Sequence, residues 1–342
     1  MNTFAKSYIH NSSRAKALIL CAAVIALTVL LFVSICVGAV KITLSDLWNI
    51  IVKRNKEGSA GQIFYFVRLP RTFAAVLAGA ALACSGTILQ TVLGNPMCSP
   101  SVIGVNAGAG LSMIIVAAFF PAAAGFAPVS AFLGALASVT VVYWIAQKSG
   151  ASKLAIVLSG IAVSSLFSAL TDTIITIVPD VKISRIDFLI GSFSGVTMSN
   201  VLFAMPYILA GLFLAMLFHV DINLLALGGE TASSLGLRVK VMRGLFLAIA
   251  ALLAGSAISL AGLIGFVGLI IPHIAKWLIG YDHKYLLPLS AVLGGAFCLF
   301  CDVLARTLFA PFEAPVGIIM SLIGSPFFIW LVLTQRRRRV FD

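Results

Sequence analysis

The sequence predicts an all-α protein that crosses a membrane about ten times, and three observations carry that prediction. Of its 342 residues, 61% are hydrophobic and 10% charged, with a mean hydropathy of +1.12. Soluble domains are about 45–50% apolar and about 25% charged, so this chain lacks the charge to coat a water-facing surface. A soluble enzyme, a secreted domain and a disordered chain are thereby excluded. Second, the apolar residues fall in near-continuous runs of roughly 20, the length of a helix that crosses about 30 Å of hydrocarbon. Third, the runs do not alternate every second residue as barrel strands do. Helices satisfy their own backbone groups, which lipid requires.

The spans are predicted in order at 17–40, 66–90, 98–120, 128–146, 154–177, 195–218, 242–260, 264–280, 285–308 and 315–334. The first follows Lys6, Arg14 and Lys16 and exceeds the roughly 7–15 apolar residues of a signal peptide, so a retained span is expected. The second opens on Arg68-Leu-Pro70-Arg71, where Pro70 suits a first helical turn. The third follows Asn95-Pro96 and carries Pro100. The fourth and fifth flank a short basic turn between Lys148 and Lys153. Gly262 and Gly265 separate the seventh from the eighth. The ninth carries Asp302 and Arg306, and the tenth follows Glu313 and Pro315.

Three pieces lie outside the membrane: 42–63, 179–193 and 219–240. The whole of 1–342 is read as one domain, with 219–240 as its largest polar appendage. With the N-terminus inside, ten spans place both termini on the cytoplasmic side. The inner segments then hold 14 Lys and Arg against 9 outside, including Arg336 to Arg339, as the positive-inside bias requires. The net charge of +12 is therefore topological and does not point to nucleic acid. No G-x-x-x-x-G-K-[ST] run occurs, so if the chain is a pump its energy source is another chain or an ion gradient. The six cysteines sit in or beside apolar runs without metal-ligand spacing, and His273 and His283 form no paired-ligand pattern. No bound cofactor or metal, and no catalytic cluster, is expected.

Four constellations stand out. Arg68 and Arg71, with Arg306 at the outer end of the ninth span, are either snorkelling anchors or a basic mouth for acidic groups of a docking protein or an anionic ligand. Asp302, costly as a lone charge in an apolar span, reads as a structural pair with Arg306, four apart on one helical face, or with a cross-helix arginine, or, less simply, as part of a proton relay. Gln90, Asn95, Pro96 and Pro100 interrupt apolar sequence at the inner end of the second and third spans, and Gly104 opens a small-residue face. Kinks and packing are one reading; lining or gating of a pathway is the other. Leu224, Leu227, Ala232 and Leu235 predict one short amphipathic surface, broken at Gly228-Gly229, with Glu230 in the same segment and Gly236 as a cap at its end. That segment is a connecting helix on the membrane or a lever for a cytosolic partner.

Taken together, these motifs resemble the FecCD/BtuC-type permeases. The resemblance runs from about residue 20 to 335. It includes Arg68-x-Pro70-Arg71, Gly79, Gly86, Gln90, Gly94-Asn95-Pro96, Ser99-Pro100 and Gly104, and Leu227-Gly228 with Leu235-Gly236. It continues through Gly262-x-Ile264-Gly265-Phe266-Val267-Gly268-Leu269-Ile270-x-Pro272-His273 and Gly280-x-Asp282-His283. It closes with Asp302, Arg306, Glu313, Pro315-x-Gly317 and Gly324-x-Pro326-x-Phe328. Met97-Cys98 and Gly229 depart mildly from the family pattern. The resemblance implies a ten-helix permease of a type II ABC importer in the bacterial cytoplasmic membrane. It implies a second permease subunit, identical or homologous, two cytoplasmic ATPases that use the ATP, and an extracytoplasmic binding protein. It further implies coupling through 221–236, binding-protein docking through Arg68, Arg71 and Arg306, and a ferric siderophore as cargo, with haem or vitamin B12 as alternatives. An ion-coupled carrier is the rival class.

Overall fold

The computed structural model describes residues 13–38, 48, 50, 58–150, 152–181, 186, 188–310 and 312–339. Among these the chain is helical throughout. In order it forms α1 (Ser13–Cys36), α2 (Ser59–Val92), α3 (Val105–Phe119), α4 (Ala127–Lys148), α5 (Lys153–Ile177), α6 (Met198–Leu217), the short α7 (His219–Ala226) and α8 (Gly229–Ser234), then α9 (Val239–Ala261), α10 (Val267–Ile279), α11 (His283–Thr307) and α12 (Val316–Arg339). Seven of the helices are long and apolar enough to span a bilayer, and α3, α10 and α12 are shorter apolar helices. Ten apolar helices thus answer to the ten expected spans. Most of the 42–63 loop, including Lys53, Arg54 and Lys56, and the side chains of Lys182, Arg185 and Asp187 lie outside the described residues.

Two spans are shorter than the hydropathy predicts, each for a backbone reason. The third does not begin at 98: Pro100–Ile103 forms a 3₁₀ turn, Gly104 turns the chain at φ +81, and α-helix starts only at Val105. Pro100 has no N–H to give a helix. The eighth begins at Val267 rather than 264, because Gly262 (φ +69) and Phe266 (φ +66) break the chain between α9 and α10. Such a break needs partners for its polar groups. Segment 188–192 supplies them: Ser192 N–H donates to Ala261 O at 2.9 Å, and Leu263 N–H donates to Phe188 O at 2.8 Å.

α2 is the central mast. In its most apolar stretch 83% of residues are buried, against 11% in α1, which lies against α11 at the periphery. α9, α10 and α11 all pack on α2, and small residues make the approach close. Gly79 faces the Gly294 backbone of α11, and Gly86 faces Gly268 of α10. Ser85 Oγ donates to Ala250 O of α9 at 2.7 Å, and Thr87 Oγ donates to Ser290 Oγ of α11 at 3.2 Å. Lipid tails are as apolar as leucine, so such contacts, rather than hydrophobic exclusion, hold membrane helices together. The large apolar side chains left exposed on the outer helices, among them Leu18, Ile25 and Phe32 of α1, Leu158 of α5 and Phe213 of α6, suit a hydrocarbon surround.

A Cβ at Gly86 would drive into the Gly268 carbonyl, whereas one at Gly110 of α3 would meet only Phe188 at 3.4 Å. Gly86→Ala is therefore expected to destabilise by about 1–3 kcal/mol or more, and Gly110→Ala to stay within about 0.5 kcal/mol. Thermal melts of the detergent-purified variants check the contrast; equal melts would contradict the packing.

Candidate functional site

Most of the candidate residues gather at the two ends of α2. At one end, Asp302 of α11 is fully buried in apolar surroundings, where a lone carboxylate is costly. Two guanidiniums answer it. Arg71 Nε lies 2.8 Å from Asp302 Oδ1, and Arg306 Nε lies 3.1 Å from Oδ2. Arg71 also reaches Glu313 Oε2 at 2.6 Å, in the turn between α11 and α12. Arg306 donates to Ser34 Oγ at 2.9 Å, and Ser34 Oγ is 2.8 Å from Thr72 Oγ. Arg68 donates to the Ile35 carbonyl. The cluster staples α1, α2, α11 and the α11–α12 turn together.

Anchors and a basic mouth are the two sequence readings of these arginines. Arg68, Arg71 and Arg306 do come together, but at 3–4% exposure they do not present an open basic mouth. The physical reason is Asp302, whose buried charge draws Arg71 and Arg306 inward.

At the other end, α2 closes with a Schellman turn: Gly94 (φ +61) donates to Thr91 O at 3.1 Å, and Asn95 N–H donates to Gln90 O at 3.1 Å. Asn95 Oδ1 accepts from Met97 N–H at 2.9 Å. Gln90 bridges to α10: Nε2 donates to Gly268 O at 3.2 Å, and Oε1 accepts from Lys276 Nζ at 2.7 Å. A cavity of about 390 Å³ opens beside it, lined in part by Gln90 and Pro96. Asn95, Pro100 and Gly104 do not reach that cavity. Pro100 is buried near Gly268, and the Gly104 carbonyl accepts from Ser138 Oγ of α4 at 2.8 Å. Of the five residues read as kinks or as pathway lining, Gln90 and Pro96 thus share this cavity and the other three do not.

The α7–α8 corner lies at this same end. The single amphipathic surface expected of Leu224, Leu227, Ala232 and Leu235 divides in two. Ala232 is buried along with Ile222 and Leu225, Leu224 is half-buried, and Leu227 and Leu235 stand 60% and 59% exposed. The break at Gly228 (φ +103) and the turn at Gly236 (φ +88) set the two leucines outward. Glu230 is exposed between them. Gly229 lies close to the Arg243 guanidinium.

Sequence reasoning missed the residue that fastens this corner. Asn223 of α7 donates through Nδ2 to Asp282 Oδ1 at 3.0 Å, and its Oδ1 accepts from the His283 backbone N–H at 3.0 Å. His283 Nδ1 lies 2.6 Å from the same Oδ1, and its Nε2 lies 2.9 Å from Thr91 Oγ of α2. An unbroken polar relay thus runs from α7 through the α10–α11 turn into α2. Burial pushes the Asp282 carboxyl up, but hydrogen bonds from Asn223 and the Lys284 N–H, with the charges of Lys16 and His219, hold it below the usual range. Asp282 thus serves as an ionised acceptor. Also unforeseen is a cavity of about 250 Å³ between α3 and α5, whose polar wall is Asn106, Ser164, Ser168 and Thr171.

Asp302→Asn is expected to cost about 3–5 kcal/mol by leaving two buried guanidiniums undercompensated. Glu313→Gln, at a side chain 36% exposed, is expected to cost at most about 1 kcal/mol. Size-exclusion profiles after graded heating separate the two, and similar losses would contradict the cluster's geometry.

Residues 26–334 match the FecCD transport family. The Fe(3+)-citrate import system permease YfmD of Bacillus subtilis is 36% identical over 96% of this chain and 98% of its own length. The hemin transport system permease HmuU of Yersinia pestis is 37% identical over 92% of this chain and 95% of its own. Among solved structures, an inward-facing conformation of a metal-chelate type ABC transporter superimposes with a TM-score of 0.81 at 30% identity, covering 93% of this chain and 99% of that one.

Proposed function

The chain belongs to the FecCD transport family, and from that membership and the two-ended geometry we propose that it carries an iron(III)-siderophore complex across the bacterial cytoplasmic membrane. It is a multi-pass permease of the type II ABC importers that serve iron chelates, haem or vitamin B12. In the proposed assembly it pairs with a second permease subunit, identical or homologous. Two cytoplasmic ATPases and an extracytoplasmic binding protein complete it. Both termini and the α7–α8 corner face the cytosol.

The observation that carries the mechanism is the α7–α8 corner: two outward leucines on a backbone tied through Asn223 and His283 to Thr91. Exposed leucines give a partner an apolar grip. Asn223 makes the grip mechanical, because a push on α7 reaches α2 through hydrogen bonds with neutral or fixed-charge partners. ATP-driven closure of the partners then switches the pathway between its inward-open and outward-open forms. The hydroxyl-lined cavity between α3 and α5 supports a polar wall for the chelate.

Docking of the binding protein is assigned to the arginine-rich end. There the buried guanidiniums shape the rim and its positive potential, while Glu313 is the part-exposed member. An ion-coupled carrier is less well supported, since Asp302 is held between Arg71 and Arg306 rather than free to load and release protons. Haem and vitamin B12 are the other cargo classes of the family.

The test is uptake into proteoliposomes holding the permease with its ATPase, supplied with binding protein and a labelled ferric siderophore. Uptake is expected to need ATP and to persist after an ionophore collapses ion gradients. Uptake that needs the gradient and ignores ATP would overturn the reading. Leu235→Asp is expected to cut uptake at least about tenfold while shifting stability by no more than about 0.5 kcal/mol, as for other exposed positions. Undiminished uptake by that variant would remove the lever.

A further inference from the structure

The cavity beside Gln90 has a chemistry that the movement of a chelate leaves unused. Its walls combine Gln90 and Thr91 of α2, His273, Lys276 and Trp277 of α10, and Leu331 of α12. Lys276 is the one lysine or arginine in the lining, and the lining contains no carboxylate. Its Nζ donates to Gln90 Oε1 at 2.7 Å, and among the described residues no carboxylate pairs with it. The acidic side chain of the neighbouring turn, Asp282, is turned to Asn223 and the Lys284 N–H. An ammonium has three donors. Two of Lys276's remain, on a half-buried side chain at a cavity wall that also carries Trp277 and Leu331, where an anion would find a donor.

His273 adds the second half of the site. It is 6% exposed, its Nδ1 lies 2.6 Å from the Leu269 carbonyl, and its Nε2 has no hydrogen-bond partner. A ring nitrogen that close to a carbonyl carries the proton, so in the neutral ring Nε2 is a lone pair seeking a donor. His273 and Lys276 stand three apart, on one face of α10. The pair asks for a ligand with an oxyanion and a nearby hydroxyl. A plain carboxylate satisfies only the lysine.

We propose that a phosphate group with a hydroxyl beside it docks in this cavity, its oxyanion on Lys276 and its hydroxyl donating to His273. Inorganic hydrogen phosphate and the headgroup of phosphatidylglycerol share that chemistry. An aromatic cluster of Trp277, Phe327 and Trp330, with ring centroids 5.4–6.5 Å apart, flanks the cavity. Such rings lie at headgroup depth in membrane proteins, and basic pockets between helices there accept anionic headgroups.

The experiment follows thermal unfolding of the purified full-length chain in a neutral detergent. One arm titrates sodium phosphate against sodium chloride at matched ionic strength. The other titrates short-chain phosphatidylglycerol against short-chain phosphatidylcholine. A saturable rise of the midpoint in the phosphate arm, the phosphatidylglycerol arm or both is expected, and which arm responds identifies the source. The apparent affinity is expected to fall about tenfold in Lys276→Met, the loss of about one charge-assisted hydrogen bond. It is expected to fall in His273→Phe and to survive in Lys276→Arg. No rise in either arm for the wild-type protein would overturn the proposal, as would equal responses to the two lipids without one to phosphate. Should Lys276→Met fail to fold, His273→Phe decides: a response equal to wild type also overturns it.

Discussion

The structure depends on how closely α2 lets other helices approach it. In lipid, apolar surface alone gives helices no reason to associate, so contact must come from backbone meeting backbone and from polar groups crossing between helices. α2 supplies both along its length, with Gly79 and Gly86 at the closest approaches and Ser85, Thr87 and Gln90 as polar ties. The same helix carries Arg71 toward one end and Thr91 at the other. A single stiff element therefore joins the charge cluster to the α7–α8 corner.

The two ends differ in kind. The Asp302 cluster is ionic, buried and shared by four chain segments, and breaking it exposes charge to an apolar interior. The relay through Asn223, His283 and Thr91 rests on fewer and mostly neutral bonds, and the leucines beyond it face outward. Stiffness at one end and a handle at the other suit a machine driven from the handle. Between them, the break before α10 holds Phe266 at φ +66, the sole non-glycine residue of positive φ among those described. Its ring packs onto Gly324 of α12. A side chain held in that conformation costs on the order of 1–3 kcal/mol, so α10 and α12 meet at a point of stored strain.

Much of this was legible in the sequence. Hydropathy and the Pro and Gly positions gave ten helices in order, and Asn95-Pro96 and Gly262–Gly265 marked real breaks. The limits were physical. Hydropathy sees composition, not backbone angles, so it extended the third and eighth spans across the turns at Gly104 and Phe266. Arg71 meets Asp302 and Glu313 across 231 and 242 residues of chain; the cost of a lone Asp302 pointed to a cross-helix arginine, but no local spacing names Arg71 as that partner. The arginines were therefore read as snorkelling anchors or a basic mouth, and neither reading contained the buried cluster. The glycines marked the break at Gly228 and the turn at Gly236, but helical periodicity could not show which apolar side chains those turns would leave exposed. Asn223 carried no signal, since its partners Asp282 and His283 lie 59 and 60 residues away.

The central claim is that the exposed leucines of α7–α8 stand in the cytosol, within reach of an ATP-hydrolysing partner. Site-directed labelling with a membrane-impermeant maleimide tests it directly. Leu235→Cys in intact cells, read over the background of the native cysteines, is predicted to stay unlabelled until the membrane is permeabilised and then to label fully. Full labelling of intact cells would place this corner on the outer face and contradict the account.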